Sequence, residues 1–185
     1  MKRAVLLLAV VSSACAGRVN DELWRPFAEW SYATRIGTMI HESTWLFAAI
    51  ESLHLLGLAA MGGAILLVDF RLLGLGLGDE PLRDLARDAQ QVLLAGLALM
   101  LATGALLYLS EATKFYSDDF WGSAEFPFIY KMLFLLLALL FTFTVRRRAL
   151  ASTTPAARGM LPLIGLTSML LWLGVAVGGR GIGFY

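Results

Sequence analysis

The sequence predicts an all-α integral membrane protein: a four-helix bundle preceded by an amphipathic helix at the membrane interface. Three observations favour this fold: an apolar composition, four long apolar stretches, and an uneven distribution of lysine and arginine between the connections. Of 185 residues, 58% are hydrophobic and 16% are charged, and the mean hydropathy is +0.72. Soluble domains have about 45–50% apolar and about 25% charged residues. Lipid is therefore the predicted solvent for most side chains.

Charge and cysteine content exclude several classes of protein. Fifteen basic residues stand against fourteen acidic ones, and this net charge of +1 leaves no excess to attract a nucleic acid. The single cysteine cannot form an internal disulfide or a thiolate metal cage. We therefore exclude a nucleic-acid binder, a disordered chain and a disulfide scaffold.

Residues 1–16 are predicted to be a signal segment. A basic start precedes an apolar run that is shorter than the about 20 residues needed to cross a bilayer. Ala14 and Ala16 fit a signal-peptidase site with cleavage before Gly17. Lipidation of Cys15 and an uncleaved interfacial segment are the alternatives. Cleavage and lipidation both imply an exported N-terminus and a bacterial-type inner membrane.

Residues 17–44 are predicted to lie at the membrane interface. Leu23, Phe27 and Trp30 recur at helical spacing, with charged residues between them. This pattern over residues 22–40 is typical of an amphipathic helix whose aromatic rings lie at the level of the lipid headgroups.

The remaining residues, 45–185, contain four stretches that are apolar enough to cross a membrane. They run over about 45–68, 91–110, 127–145 and 160–178. In hydrocarbon a segment must satisfy its own backbone polar groups, so each stretch is predicted to be a helix. Ser43 or Thr44 is expected to cap the first. Glycines in the spans allow close approach and favour a compact bundle.

Positive charge in the connections sets the predicted orientation. The first connection carries three arginines and the third carries four, whereas the second carries one lysine. Basic residues stay on the cytoplasmic side. The second connection and both mature termini are therefore predicted to be periplasmic.

His54 is the strongest candidate for chemistry because it lies near the middle of the first span. At 1.5 Å per residue it is about 14 Å below the predicted outer end. An imidazole in a dry bundle can be an axial ligand of haem iron. Glu51, or a backbone carbonyl one turn back, could hold its other nitrogen, and Gly57 would leave room for a flat macrocycle. The structural alternative is a neutral histidine bonded to Glu51 or to a neighbouring helix.

Other candidate ligands are weaker. Met100 and Met169 fall at the depth of His54, so either sulfur could ligate a metal, although methionine is common in membrane cores. Five-coordinate iron is equally compatible. Lys131 and Arg180 are predicted on the outer side, where they could bind propionates or an acidic substrate, or only anchor their helices.

Several short segments resemble the CopD-like membrane superfamily. The segment from His54 to Gly63 resembles its first core helix, with Met61 where the superfamily pattern has Trp, and Tyr130-Lys131 resembles the start of its lysine-bearing helix. More closely, one uncharacterised bacterial four-span family of that group is similar over roughly residues 27–185. That likeness rests on three segments, 45–54, 68–74 and 179–184.

The resemblance implies a function for these residues. The superfamily includes HemJ-type protoporphyrinogen oxidases, which bind b-type haem through a membrane histidine, and CopD proteins, which handle copper. It implies that His54 is a haem ligand and that Lys131 contacts haem or substrate.

We therefore predict a b-type haem protein of the inner membrane that transfers electrons between a quinone or porphyrin-like donor and an outer acceptor. Whether it is an enzyme, and whether it forms a homo-oligomer or joins a membrane redox complex, stays open. The alternatives are a CopD-type transporter of copper or another small solute, and a structural subunit without chemistry of its own.

Overall fold

A computed structural model describes residues 25–76, 81–116, 123–151 and 155–185, the last segment with side chains from Gly159 onward. The predicted signal segment with Cys15, and the start of the predicted interfacial helix, lie outside the described residues. Over the described ranges the chain is helical and contains no strand. The helices are α1 (Arg25–Tyr32), α2 (Arg35–His41), α3 (Thr44–Leu72), α4 (Leu82–Glu111), α5 (Glu125–Phe141), α6 (Arg147–Ala151) and α7 (Pro155–Ile182). A 3₁₀ turn, Ala112–Phe115, follows α4, and a π-helical turn, Thr142–Arg146, joins α5 to α6.

The prediction of an all-α protein with four membrane-spanning helices is confirmed. The four helical segments long and apolar enough to cross a membrane are Thr44–Leu72, Leu82–Phe115, Glu125–Ala151 and Gly159–Ile182. Large apolar side chains, including Leu56, Leu136 and Leu163, are exposed along them. Exposed leucines on such helices are suited to contact with lipid, and the chain is a multi-pass membrane protein.

The helices extend beyond the apolar stretches, most of all at the start of α4. The predicted span begins at residue 91, whereas α4 begins at Leu82. Its first turns are polar, and Arg87 pairs with Asp84 at 3.6 Å, one turn earlier. Such pairs support a helix, but a hydropathy pattern does not detect them.

The first two helices correct the prediction of one continuous amphipathic helix. Thr34 has an extended backbone and ends the helical path after α1. Its Oγ1 accepts a hydrogen bond from the Gly37 amide at 3.1 Å, and this N-cap starts α2 in a new direction. Ser43 caps α3 in the same way through the Leu46 amide, as predicted.

The spanning helices form two close pairs. In the first, α3 packs along α4, and a Cβ added to Gly96 would lie 2.9 Å from Cβ of Met61. In the second, α5 packs along α7, with Gly178 against Lys131 and Gly181 against Pro127. In both pairs, missing side chains let the backbones approach.

The two pairs meet where α3 contacts α7. A Cβ on Gly165 of α7 would lie 3.0 Å from the carbonyl oxygen of Asp69 on α3. By contrast, no Cα of α4 comes within 8 Å of a Cα of α5, and both helices are fully described. Side chains span this separation near the end of α4 and the start of α5, where the ring of Tyr108 stacks on that of Phe128 with a centroid distance of 5.8 Å. The backbones of α4 and α5 are therefore apart, whereas their side chains meet.

Candidate functional site

His54 of α3 is hydrogen-bonded to Thr103 of α4, with 2.8 Å between Nδ1 and Oγ1. The threonine hydroxyl donates its only proton to the Leu99 carbonyl at 2.7 Å. Both hydrogen bonds form together when Nδ1 of His54 carries the proton and the hydroxyl accepts from it. In the neutral ring, Nε2 is then left with its lone pair. The contact between α3 and α4 thus favours one tautomer of a membrane histidine.

The surroundings of the imidazole come from both helix pairs. Gly104 of α4 lies beside the ring, and a Cβ there would be 3.2 Å from Cε1 of His54. Lys131 of α5 is close enough for its charge to act on His54. Lys131 is itself half-buried and packed against Gly178 and Gly179 of α7. The site therefore combines a hydrogen-bonded histidine, a glycine that admits its ring and a cation from the opposite pair.

Two residues predicted to serve His54 have other surroundings. Glu51 is exposed, and the partner of Nδ1 is Thr103, so the expectation that Glu51 or a backbone carbonyl one turn back holds the imidazole is corrected. Gly57 is buried, and a Cβ there would lie 3.3 Å from the Leu99 side chain. The space beside Gly57 is filled by α4 because the helices approach there, and Gly104 is the glycine that lies against the ring.

The predicted methionine ligands and the second histidine are distributed over the bundle. Met100 packs against the apolar core cluster around Met61, and Met169 is half-buried on α7. His41 lies at the end of α2, where Nδ1 bonds the Gly37 carbonyl at 3.2 Å. Its ring stacks on Tyr32 with a centroid distance of 4.5 Å. These contacts give His41 a packing role at the end of α2, just before α3 begins.

Arg180, predicted to bind an anionic group, contacts the C-terminal segment. Its guanidinium lies over the ring of Phe184, 4.6 Å from the centroid. This cation–π contact is typical of arginine at an exposed position. Of the two predicted outer cations, Lys131 is the one whose charge acts on His54.

Sequence reasoning missed a buried ion pair at the opposite end of the bundle. Asp69 of α3 and Arg146 of the π turn approach to 3.4 Å, and both side chains are almost fully buried. Arg146 also donates to the Ile65 carbonyl at 3.5 Å. The arginine run that contains it indicates the end of a span, and nothing in the run distinguishes the one member that turns inward.

Thr103 was also missed, although a signal was present. It is a polar residue in an otherwise apolar part of the second span, at a depth similar to that of His54. Among the described residues there is no group of three or more His, Cys, Asp or Glu side chains that could hold a metal ion.

Comparison with known proteins gives one match. A family model described as a family of unknown function, DUF6644, matches residues 27–185. No curated protein and no solved structure matches. The link to CopD-like and HemJ-type proteins stays a prediction.

Proposed function

Because the chain belongs to the DUF6644 family, which has no known function, we propose one from its own residues: a b-type haem protein that transfers electrons within the membrane. His54 is the proposed axial ligand, and Lys131 the proposed partner of an acidic group on the ring. The proposed electron donor is a quinone or a porphyrin-like molecule. The proposed electron acceptor lies at the outer face of an inner membrane.

The observation that carries the proposal is the hydrogen bond between His54 and Thr103, which favours one tautomer of the imidazole. An axial histidine coordinates iron through one ring nitrogen and donates its other N–H to a hydrogen-bond acceptor. Nδ1 of His54 donates to Thr103, whose own proton is engaged by Leu99. Nε2 therefore has the lone pair that a ligand needs, and the hydrogen bond orients the ring before anything binds.

Two further features accompany the hydrogen bond to Thr103. Gly104 lets the imidazole lie against the backbone of α4, because a Cβ there would be 3.2 Å from Cε1. Lys131 brings a positive charge that acts on His54, and such a charge would attract a carboxylate of the ring.

Haem, when bound, would supply one-electron redox chemistry. The chain would contribute the rest: His54 would fix the ligand field, Thr103 would fix the imidazole, and Lys131 would bind a propionate. The apolar helices would exclude water and hold the site at low dielectric, which tunes a reduction potential.

The test is the visible spectrum of the full chain, expressed with ample haem and purified in mild detergent. We expect a Soret band at about one haem per chain, lost in His54→Ala and retained in His41→Ala. His41 is the matched control, because it is the only other histidine and packs on Tyr32. Added imidazole should restore the band in His54→Ala, since it can occupy the vacated ligand position.

A colourless protein with full expression would reject the haem proposal. Stoichiometric copper in that colourless protein would favour the transport alternative. If the protein held neither haem nor copper, and His54→Ala lowered only the thermal stability, the structural-subunit alternative would be favoured. A Soret band of equal strength in His54→Ala and wild type would assign the iron ligand elsewhere.

A further inference from the structure

A cavity of about 390 Å³ opens at the end of the bundle that is predicted to be cytoplasmic. It lies between α3, the first turns of α4 and the π turn with α6, and His54 is not among its lining residues. Four arginines line it: Arg83 and Arg87 from α4, Arg146 from the π turn, and Arg147 from α6. No acidic residue is among its lining in the described part of the chain. The cavity is thus strongly basic.

Local contacts neutralise only part of this charge. Arg87 pairs with Asp84 and Asp88, and both pairs are exposed, so they contribute little. Arg83 donates to the Ala151 carbonyl at 2.9 Å, which ties α4 to α6 without removing its charge. Arg147 has no ion-pair partner among the described residues.

Arg146 is the buried member of the four. It is 4% exposed and lines the cavity. Its Nη2 contacts Asp69 and the Ile65 carbonyl, so its charge is partly neutralised. The other three arginines are therefore the ones left to bind a ligand.

We propose that this cavity binds a phosphate group. Arginine forks match the geometry of phosphate oxygens and bind them through paired, charge-assisted hydrogen bonds. Basic pockets between membrane helices on the cytoplasmic side are suited to anionic lipid headgroups. The phosphate can come from an anionic phospholipid or from a soluble phosphate ester, because the arginines recognise the same chemistry in both.

The apolar part of the lining favours the lipid source. Ala64, Val68 and Leu93 line the cavity beside the arginines. A headgroup phosphate held by the arginines would leave the adjoining glyceryl and acyl carbons against these side chains. This site is independent of His54, so the haem proposal and the phosphate proposal can fail separately.

The experiment uses the full chain, delipidated in a neutral detergent and then given one probe at a time. Native mass spectrometry measures bound phosphatidylglycerol and phosphatidylcholine, and the thermal unfolding midpoint reports binding of inorganic phosphate. The test variant is Arg83→Gln/Arg147→Gln, which removes two exposed lining charges and leaves the buried ion pair intact. The control is Arg35→Gln/Arg148→Gln, which removes two exposed arginines outside the lining.

We expect wild type to retain phosphatidylglycerol in preference to phosphatidylcholine. The test variant should bind it about 30-fold more weakly, which is about 2 kcal/mol for two arginines near a lipid surface. The control should bind like wild type. Stabilisation by inorganic phosphate without lipid retention, lost in the test variant only, would support the proposal with a soluble source. Three outcomes would overturn the proposal. The protein could retain both lipids equally and show no response to phosphate, the two variants could weaken binding equally, or no probe could bind.

Discussion

Arg146 and Asp69 form an ion pair inside the bundle, with 3.4 Å between Nη2 and Oδ1 and side-chain exposures of 5% and 0%. The pair connects the π turn after α5 to α3, two segments whose Cα atoms nowhere come within 8 Å of each other. The long arginine side chain therefore bridges a distance that backbone packing leaves open. It links the two helix pairs a second time, beside the contact of α3 with α7.

Removing one member of this pair should destabilise the fold strongly. Arg146→Met leaves the Asp69 carboxylate buried without its partner, and the expected loss is about 3–5 kcal/mol in the free energy of unfolding. Denaturant titration in mixed micelles measures it. The double variant Asp69→Leu/Arg146→Met should recover most of the loss because no isolated charge stays buried. Arg148→Gln, at an exposed neighbouring position, should change the free energy by less than about 0.5 kcal/mol. A loss below about 1 kcal/mol in Arg146→Met would contradict a buried, paired state.

Among the glycines of α7, Gly174 is predicted to lose the most stability when it is replaced by alanine. A Cβ there would overlap the ring of Phe134 on α5. Gly174→Ala should therefore force the pair apart and cost about 1–3 kcal/mol. Gly62→Ala is the matched control, since a Cβ there meets no atom within 4 Å. Phe134→Leu in the Gly174→Ala background should return part of the stability. If the two glycine variants melted at the same temperature, the close approach of α5 and α7 would be wrong.

The tautomer of His54 can be read without any cofactor. Nitrogen NMR of the ring should show Nδ1 protonated and Nε2 unprotonated in the neutral wild-type site, because both hydrogen bonds of the Thr103 hydroxyl then form together. Thr103→Val should abolish this preference, whereas Thr103→Ser should keep it. If the haem proposal is correct, Thr103→Val should also weaken haem binding about 10–100-fold. Protonation of Nε2 in the wild type would remove the basis for a ligand role.

The predicted orientation can be tested by thiol labelling in a Cys15→Ser background, which removes the only native thiol. Thr113→Cys lies in the exposed 3₁₀ turn after α4, and Arg148→Cys lies in exposed α6. An impermeant maleimide should label the first in intact cells and the second only after permeabilisation. The reverse pattern would invert the topology and move the arginine-lined cavity to the outside.

Much of the fold could be predicted from composition and spacing alone. Lipid requires that each span satisfy its own backbone, so apolar length specifies the four helices almost without reference to packing. The break at Thr34 depends on a single N-cap hydrogen bond. Hydropathy averages over such local interactions, so it predicted one helix where there are two. It also locates only the apolar span that begins near residue 91, and the polar turns of α4 before that residue lie outside what it can detect.

The candidate site was less predictable because it depends on how helices are rotated about their axes. His54 could be selected by depth alone. Its partner could not, since Glu51 shares its helix at favourable spacing while Thr103 meets it only after α3 and α4 have packed. Arg146 differs from its neighbours only in direction, and that direction follows from the π turn that it ends.

The π turn Thr142–Arg146 also sets the direction in which the side chains after it point around the helix axis. A π turn holds one residue more than the α-helical path it replaces, and each residue of an α-helix advances the chain by about 100° around the axis. Thr142 accepts from the indole N–H of Trp172 at the start of the turn, and Arg146 meets Asp69 at its end. One surplus residue thus sets the direction of Arg146 relative to Thr142. Shortening the turn by a residue would swing the arginines after it to another side of the protein, with the number of charges unchanged.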